Sequence, residues 1–150
     1  MEQKKKKIIK FVLNFFVYIL IIGGITVGLP KLLAWSLNIP YPMATITSGS
    51  MWPALKEGDL VFIKGVQGKN DLNIGDIIVY RNNLNNTFTI HRVVELGEDA
   101  LTTRGDANFS KDTPVRYEDV VGKTLTVFGR PARVPNAGFI TVYANKKLNQ

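Results

Sequence analysis

One long apolar run dominates the hydrophobic pattern near the start of the chain. No charged residue lies between Phe11 and Pro30, and Asn14 and Thr26 are the main polar interruptions. A helix needs about 20 predominantly apolar residues to cross the hydrocarbon layer, so the run predicts a transmembrane helix over residues 11–34. The run exceeds the roughly 7–15 residues of a signal-peptide core and no clear small-x-small motif follows, which favours an uncleaved anchor over a removed signal sequence.

Beyond Pro40 and Pro42 the pattern changes to short β-branched runs separated by turn residues. Such spacing is typical of a small antiparallel β domain, and we predict a barrel-like one over residues 35–150. Asn82–Asn86 has the composition of a hairpin tip. The predicted strands are Asp59–Lys64, Asp76–Arg81, Thr87–Glu95, Leu101–Thr103 and Val120–Phe128. The predicted core residues are Phe62, Ile63, Ile77, Val79, Ile90 and Val93.

The positive charge is concentrated at the N-terminus. Residues 1–10 carry +4 of the formal net charge of +7, which argues for a basic tail and against a nucleic-acid-binding face. By the positive-inside rule, this tail lies in the cytoplasm and the β domain outside it. We therefore expect a single-pass protein of the cell membrane, with the lipid bilayer as one partner, and the short Asn145–Gln150 segment adds no second span.

The chain has no cysteine and one histidine, His91. Disulfides, thiolate metal sites, a cysteine nucleophile and multi-histidine metal sites are thereby excluded. We expect no metal and no cofactor.

The candidate chemistry centres on Ser48-Gly49-Ser50, which lies between a β-branched stretch and Pro53. A serine hydroxyl needs a positioned base before it is a good nucleophile, and His91 supplies the only imidazole. A carboxylate that orients the ring would come from Asp106 or Asp112. Taken singly, each feature is more typical of a flexible turn or a packed strand residue than of a catalytic site.

Taken in order, these motifs resemble the ordered boxes of type I signal peptidases. The order of the boxes makes the resemblance more specific than any one of them, and it extends from the apolar run to about Gly138. The general base is a lysine in the main bacterial branch of this family. This chain has His91 at that place, and in this respect it resembles the endoplasmic-reticulum and archaeal branch. The matching segments are Thr47–Pro53, Gly75–Val79, Ile90–Val93, Gly105–Asn108 and Arg133–Gly138.

The resemblance implies that Ser50 is the nucleophile and His91 its general base. Ser48 would lend its hydroxyl to the oxyanion hole beside the Ser50 backbone N–H. We expect Asp112 to orient the ring and Asp106 to hold the loops of the site together. The sequence departs from the family pattern at Ala107, where asparagine is common, and at Asp112, where many members have an acidic pair. Both aspartates therefore remain candidates for the orienting role.

The substrates implied are secretory preproteins, which reach the enzyme near the translocon. An extended peptide would add to the strand edge formed by Ala44, Thr45, Ile46 and Thr47, with alanine-like residues one and three positions before the cut. Trp52 beside the nucleophile would contact membrane or substrate, or only pack. Two other interpretations compete. One is a related Ser-Lys peptidase that uses Lys64, and the other is an anchored β domain that binds a partner without catalysis.

Overall fold

The computed structural model describes residues 2–82, 87–139 and 142–143. The chain divides into two compact units, Met1–Ser36 and Leu37–Gln150. Of the predicted hairpin tip, only Asn82 is among the described residues, and the segment Asn145–Gln150 lies outside them. The predicted boundaries at residues 10 and 34 stay predictions, because the division into units does not test them.

The first unit is one helix, α1 (Glu2–Ser36), which includes the lysine run as well as the apolar run. It is long and apolar enough to cross a membrane. Its large apolar side chains are exposed on every side, as suits a helix surrounded by lipid. The Thr26 hydroxyl donates to the Ile22 carbonyl at 2.7 Å, so this polar group is satisfied within the helix.

The strands of the second unit are β1 (Met43–Thr45), β2 (Leu60–Gly65), β3 (Ile77–Asn82), β4 (Thr87–Leu96), β5 (Ala100–Arg104), β6 (Val115–Arg116), β7 (Val120–Thr124), β8 (Thr126–Val127), β9 (Arg130–Pro131) and β10 (Arg133–Val134). The unit is built on an antiparallel sheet in the order β1-β2-β7-β3-β4-β5-β6, with β10 also pairing with β2. Among the described strands none joins β6 to β1, so the sheet stays open and the barrel is not closed. A mainly β protein with one apolar helix is thereby confirmed.

Four of the predicted strands correspond to β2, β3, β4 and β5, with shifts of at most one residue at their ends. The single strand predicted over Val120–Phe128 is wrong, because the chain changes partner at Leu125. The Leu125 N–H donates to Phe62 of β2, whereas its carbonyl accepts from Ala132 after β9. The chain then forms a separate β8–β9 hairpin, whose two-residue turn places Phe128 and Gly129 at positive φ.

Strand β3 lies between β7 and β4, and its first four residues are buried because apolar clusters cover both of its faces. Ile77 and Val79 point to one face, whereas Ile78 and Tyr80 pack into a different cluster on the other. Four predicted core residues are buried as expected, while Phe62 and Ile90 are only partly buried. The buried residues among the predicted set are Ile63, Ile77, Val79 and Val93.

An ion pair between buried Asp59 and partly buried Arg133 joins the start of β2 to β10. The Asp59 carboxylate accepts from the Lys56 N–H at 2.9 Å and from Arg133. Burial raises the pKa of the Asp59 carboxyl, but these hydrogen bonds and the Arg133 charge outweigh it and hold the pKa below its usual value. The carboxylate therefore stabilises the fold at neutral pH, and this contribution is lost as the pH falls through the lowered pKa.

We expect Asp59→Asn to lower the free energy of unfolding by about 2 kcal/mol at pH 7, because a buried charge-assisted hydrogen bond is lost. The deficit should shrink below about pH 4, where the unfolded wild-type aspartate becomes protonated. Denaturant unfolding in detergent, followed by tryptophan fluorescence at both pH values, measures it. The exposed Asp99→Asn is the control, and equal stability of the Asp59 variant at pH 7 would contradict the expectation.

Candidate active site

The turn that carries Ser50 is fixed in the core by the residues that follow it. Met51 and Leu55 are almost fully buried against Ile46 and Val61, and the Leu55 N–H donates to the Met51 carbonyl at 2.9 Å. Ser50 itself is only partly buried. The apolar anchor thus holds the backbone of the turn while the serine hydroxyl stays accessible.

The loop between β5 and β6 closes against this turn at Gly105. The Ala107 N–H donates to the Ser50 carbonyl at 2.8 Å, and a Cβ on Gly105 would lie 2.7 Å from the same oxygen. Only glycine permits that approach without a shift of the backbone. The departure from the family pattern at Ala107 costs nothing in this contact, because the bond uses its backbone N–H.

Strand β4 brings His91 to the serine. Its Nε2 lies 3.2 Å from the Ser50 Oγ, and its Nδ1 lies 2.6 Å from the Asp112 Oδ2. In the tautomer that donates from Nδ1 to the carboxylate, Nε2 is free to accept the serine proton. The Ser48 Oγ lies 3.1 Å from the Ser50 Oγ, so a second hydroxyl stands beside the candidate nucleophile.

Three neighbouring strands meet around Asp112. Tyr80 on β3, His91 on β4 and Thr103 on β5 share one face of the sheet, because Ile78 pairs with His91 and Val93 with Thr103. The Thr103 hydroxyl donates to the Asp112 Oδ2 at 2.7 Å, and the Tyr80 hydroxyl points to the same oxygen at 3.4 Å. Burial and the nearby carboxylate raise the pKa of Tyr80, so its phenol stays protonated.

Asp106 does not contact His91. It forms a two-pronged ion pair with Arg92, whose Nε and Nη2 donate to its two oxygens at 2.8 and 2.7 Å. This hydrogen bonding raises the pKa of the Arg92 guanidinium despite its partial burial. The Arg92 Nη1 also donates to the Gly75 carbonyl at 2.7 Å. Asp106 therefore ties the loop after β5 to β4 and to the turn before β3.

A cleft of about 670 Å³ leads away from the Ser50 hydroxyl. All four residues of the predicted peptide-binding edge line it, together with apolar side chains from the sheet, and among the described strands β1 pairs only with β2. The edge of β1 that faces away from β2 is thus open to an extended peptide. Gly138 packs closely against the Thr45 side chain of β1, where a Cβ would lie 2.3 Å from the Thr45 Cγ2. The residues that line the cleft include Ala44, Thr45, Ile46, Thr47, Ile90 and His91.

Sequence reasoning missed Thr103 and Tyr80, because a threonine and a tyrosine in predicted strands look like ordinary sheet residues. It also named Lys64 as an alternative base, but this side chain is exposed on β2, opposite Lys123, and does not line the cleft. Trp52 does not line the cleft either. It is half exposed, and the Lys56 Nζ lies 4.7 Å from the centre of its ring.

Several fungal proteins named signal peptidase complex catalytic subunit SEC11 are similar to this chain. The protein of Lachancea thermotolerans is 31% identical over 125 residues, which cover 73% of this chain and 69% of that protein. Those of Chaetomium globosum and Neurospora crassa are each 32% identical, over 109 and 115 residues, covering 69% of this chain and 63% of theirs. No family sequence model matches the chain.

Proposed function

The chain belongs to the family of signal peptidase catalytic subunits, and we propose that it is a membrane-anchored serine endopeptidase that removes signal peptides from secreted preproteins. The observation that carries this proposal is the continuous set of contacts from the Ser50 hydroxyl through His91 to Asp112. In this arrangement the imidazole accepts a proton on one side while a carboxylate stabilises the charge that develops on the other.

The reaction begins when Ser50 attacks the scissile carbonyl while His91 Nε2 takes its proton. The oxyanion accepts hydrogen bonds from the Ser48 hydroxyl and the Ser50 backbone N–H. His91 then gives the proton to the leaving amine, which departs with the mature protein, and an acyl-enzyme remains on Ser50. Water deprotonated by His91 hydrolyses this ester and restores the serine.

The apolar cleft suits the part of the preprotein before the cut. An extended peptide pairs with the free edge of β1, and its small side chains enter the space between Ile46 and Ile90, both of which line the cleft. Main-chain hydrogen bonds to the strand bind peptides of varied sequence. The side-chain space sets the preference for alanine-like residues near the cut.

The helix α1 anchors the protein in the membrane. We propose the cell membrane, with the lysines before Phe11 in the cytoplasm and the β domain on the opposite side, because basic residues are retained inside. Preproteins emerge from the translocon at that surface, and a tethered enzyme meets them at raised effective concentration. The fungal relatives are named as subunits of a complex, so partner subunits are also proposed.

The test is cleavage of a model preprotein by the full-length protein in liposomes. We expect one cut after an alanine-like residue, identified by the masses of both products, and labelling of the protein by a serine-directed acylating probe. Lys64→Ala should cleave at the wild-type rate, because the Lys64 side chain is exposed and does not line the cleft. Loss of cleavage in this variant would favour the Ser-Lys alternative, whereas a wild-type protein with neither cleavage nor labelling would be a non-catalytic domain.

A further inference from the structure

Asp112 does not hold its position through His91 alone, because Thr103 clamps it at two points. The Thr103 hydroxyl donates to the Asp112 Oδ2 at 2.7 Å, and the Thr103 carbonyl accepts the Asp112 backbone N–H at 2.8 Å. Asp112 lies in a segment without regular structure between β5 and β6. The two bonds attach this segment to the sheet at the position where its carboxylate reaches the imidazole.

Thr103 is fully buried, yet its hydroxyl points to the oxygen that also accepts from His91. Burying a hydroxyl is unfavourable unless it is hydrogen-bonded, and Asp112 is the partner that satisfies it. An apolar β-branched side chain of the same shape would pack in this place without needing a partner. Packing alone therefore does not account for the Thr103 hydroxyl, whose role is its hydrogen bond to the Asp112 carboxylate.

We propose that Thr103 is a positioning residue for the peptidase reaction, acting through Asp112 on His91. The inference rests on the proposed function for its catalytic meaning. Donation to Oδ2 fixes the rotamer of the Asp112 carboxylate, so the ring stays in the tautomer that presents an unprotonated Nε2 to Ser50. Thr103 does not line the cleft, so its contribution lies in the chemical step and not in peptide binding.

The primary test measures preprotein cleavage by Thr103→Val, Thr103→Ser and Thr103→Ala. We expect kcat of the valine variant to fall by about 10–100-fold with KM unchanged, since a hydrogen bond to a charged group is lost. Serine should restore most of the rate. Alanine should remain slow, and because it differs from serine by one oxygen, this pair reads out the hydroxyl even if the valine variant fails to fold. Thr124→Val, a buried threonine on β7, is the matched control and should leave kcat unchanged.

Two further measurements separate positioning from a merely structural role. In an Asp112→Ala background Thr103→Val should cause no further loss, whereas independent structural damage would multiply the two losses. The only histidine of the chain gives a single set of imidazole signals, so the hydrogen-bonded Nδ1–H resonance of His91 can be assigned directly. It should broaden in Thr103→Val through faster exchange with water, and stay sharp in Thr103→Ser and Thr124→Val.

Wild-type kcat in Thr103→Val, equal rates for the serine and alanine variants, or multiplied losses with Asp112→Ala would each overturn the inference. An unchanged Nδ1–H resonance in Thr103→Val would do the same. If the wild-type protein cleaves no preprotein, the proposed function fails separately, and the resonance still reports whether Thr103 positions the carboxylate.

Discussion

Replacing Ser50 by alanine should reduce preprotein cleavage by about 10⁵- to 10⁶-fold, because the covalent route through the acyl-enzyme disappears. Little else should change. The Ser50 side chain contacts only the Ser48 hydroxyl and the His91 ring in the described hydrogen bonds, and the turn is held by Met51 and by the Ser50 carbonyl. The measurement is single-turnover cleavage of a model preprotein in liposomes, with thermal unfolding of each variant alongside.

The matched control is Ser48→Ala, which removes a hydroxyl of the same kind two residues away. Its loss should be about 10²–10³-fold, the usual effect of one oxyanion donor, because the nucleophile and its base remain. Adding His91→Ala to Ser50→Ala should cause almost no further loss, since the two side chains act as one unit. Substantial turnover by Ser50→Ala, or a larger loss of cleavage in Ser48→Ala than in Ser50→Ala, would show that Ser50 is not the nucleophile.

Much of this arrangement was predictable because local chemistry specified it. The strands β2 to β5 have β-branched runs with turn residues at their ends, and the apolar run before them matches the thickness of a bilayer. The resemblance to signal peptidases is confirmed by the fungal relatives. Gly49 and Pro53 predict a turn that presents Ser50. Because the chain has one histidine, His91 is the only imidazole that could serve as its base.

The features of the fold and of the site that local sequence patterns do not predict depend on which strands pair and in what register. Leu125 changes partner from β2 to the chain after β9, which no local pattern in a β-branched run indicates. Thr103 reaches Asp112 only because Val93 lies opposite it, so that His91 and Thr103 share a face. The spacing of Asp106 and Asp112 did not decide between them either, because loop geometry directs one to Arg92 and the other to the ring.

Substitution with asparagine should distinguish the catalytic role of Asp112 from the structural role of Asp106. Asp112→Asn should lower kcat by about 10⁴-fold, because the amide donates to Nδ1 and thereby favours the tautomer with a proton on Nε2, which cannot accept the serine proton. Stability should change little, since the amide nitrogen takes the place of Oδ2 and its second N–H can donate to the Thr103 hydroxyl, which accepts as well as donates. The measurement is kcat for preprotein cleavage together with unfolding in detergent.

Asp106→Asn should have the opposite effect, a loss of stability with only a small loss of kcat. It breaks the two-pronged pair with Arg92, so the free energy of unfolding should fall by about 2 kcal/mol, the effect of losing a hydrogen-bonded charge pair. The imidazole keeps its own carboxylate, so kcat should fall by no more than about tenfold, through the displaced loop that carries Ala107. Because both variants exchange the same carboxylate for the same amide, each serves as the control for the other. A kcat loss at Asp106 larger than that at Asp112 would assign the orienting role to Asp106 and require a loop arrangement different from the one that joins Asp112 to His91.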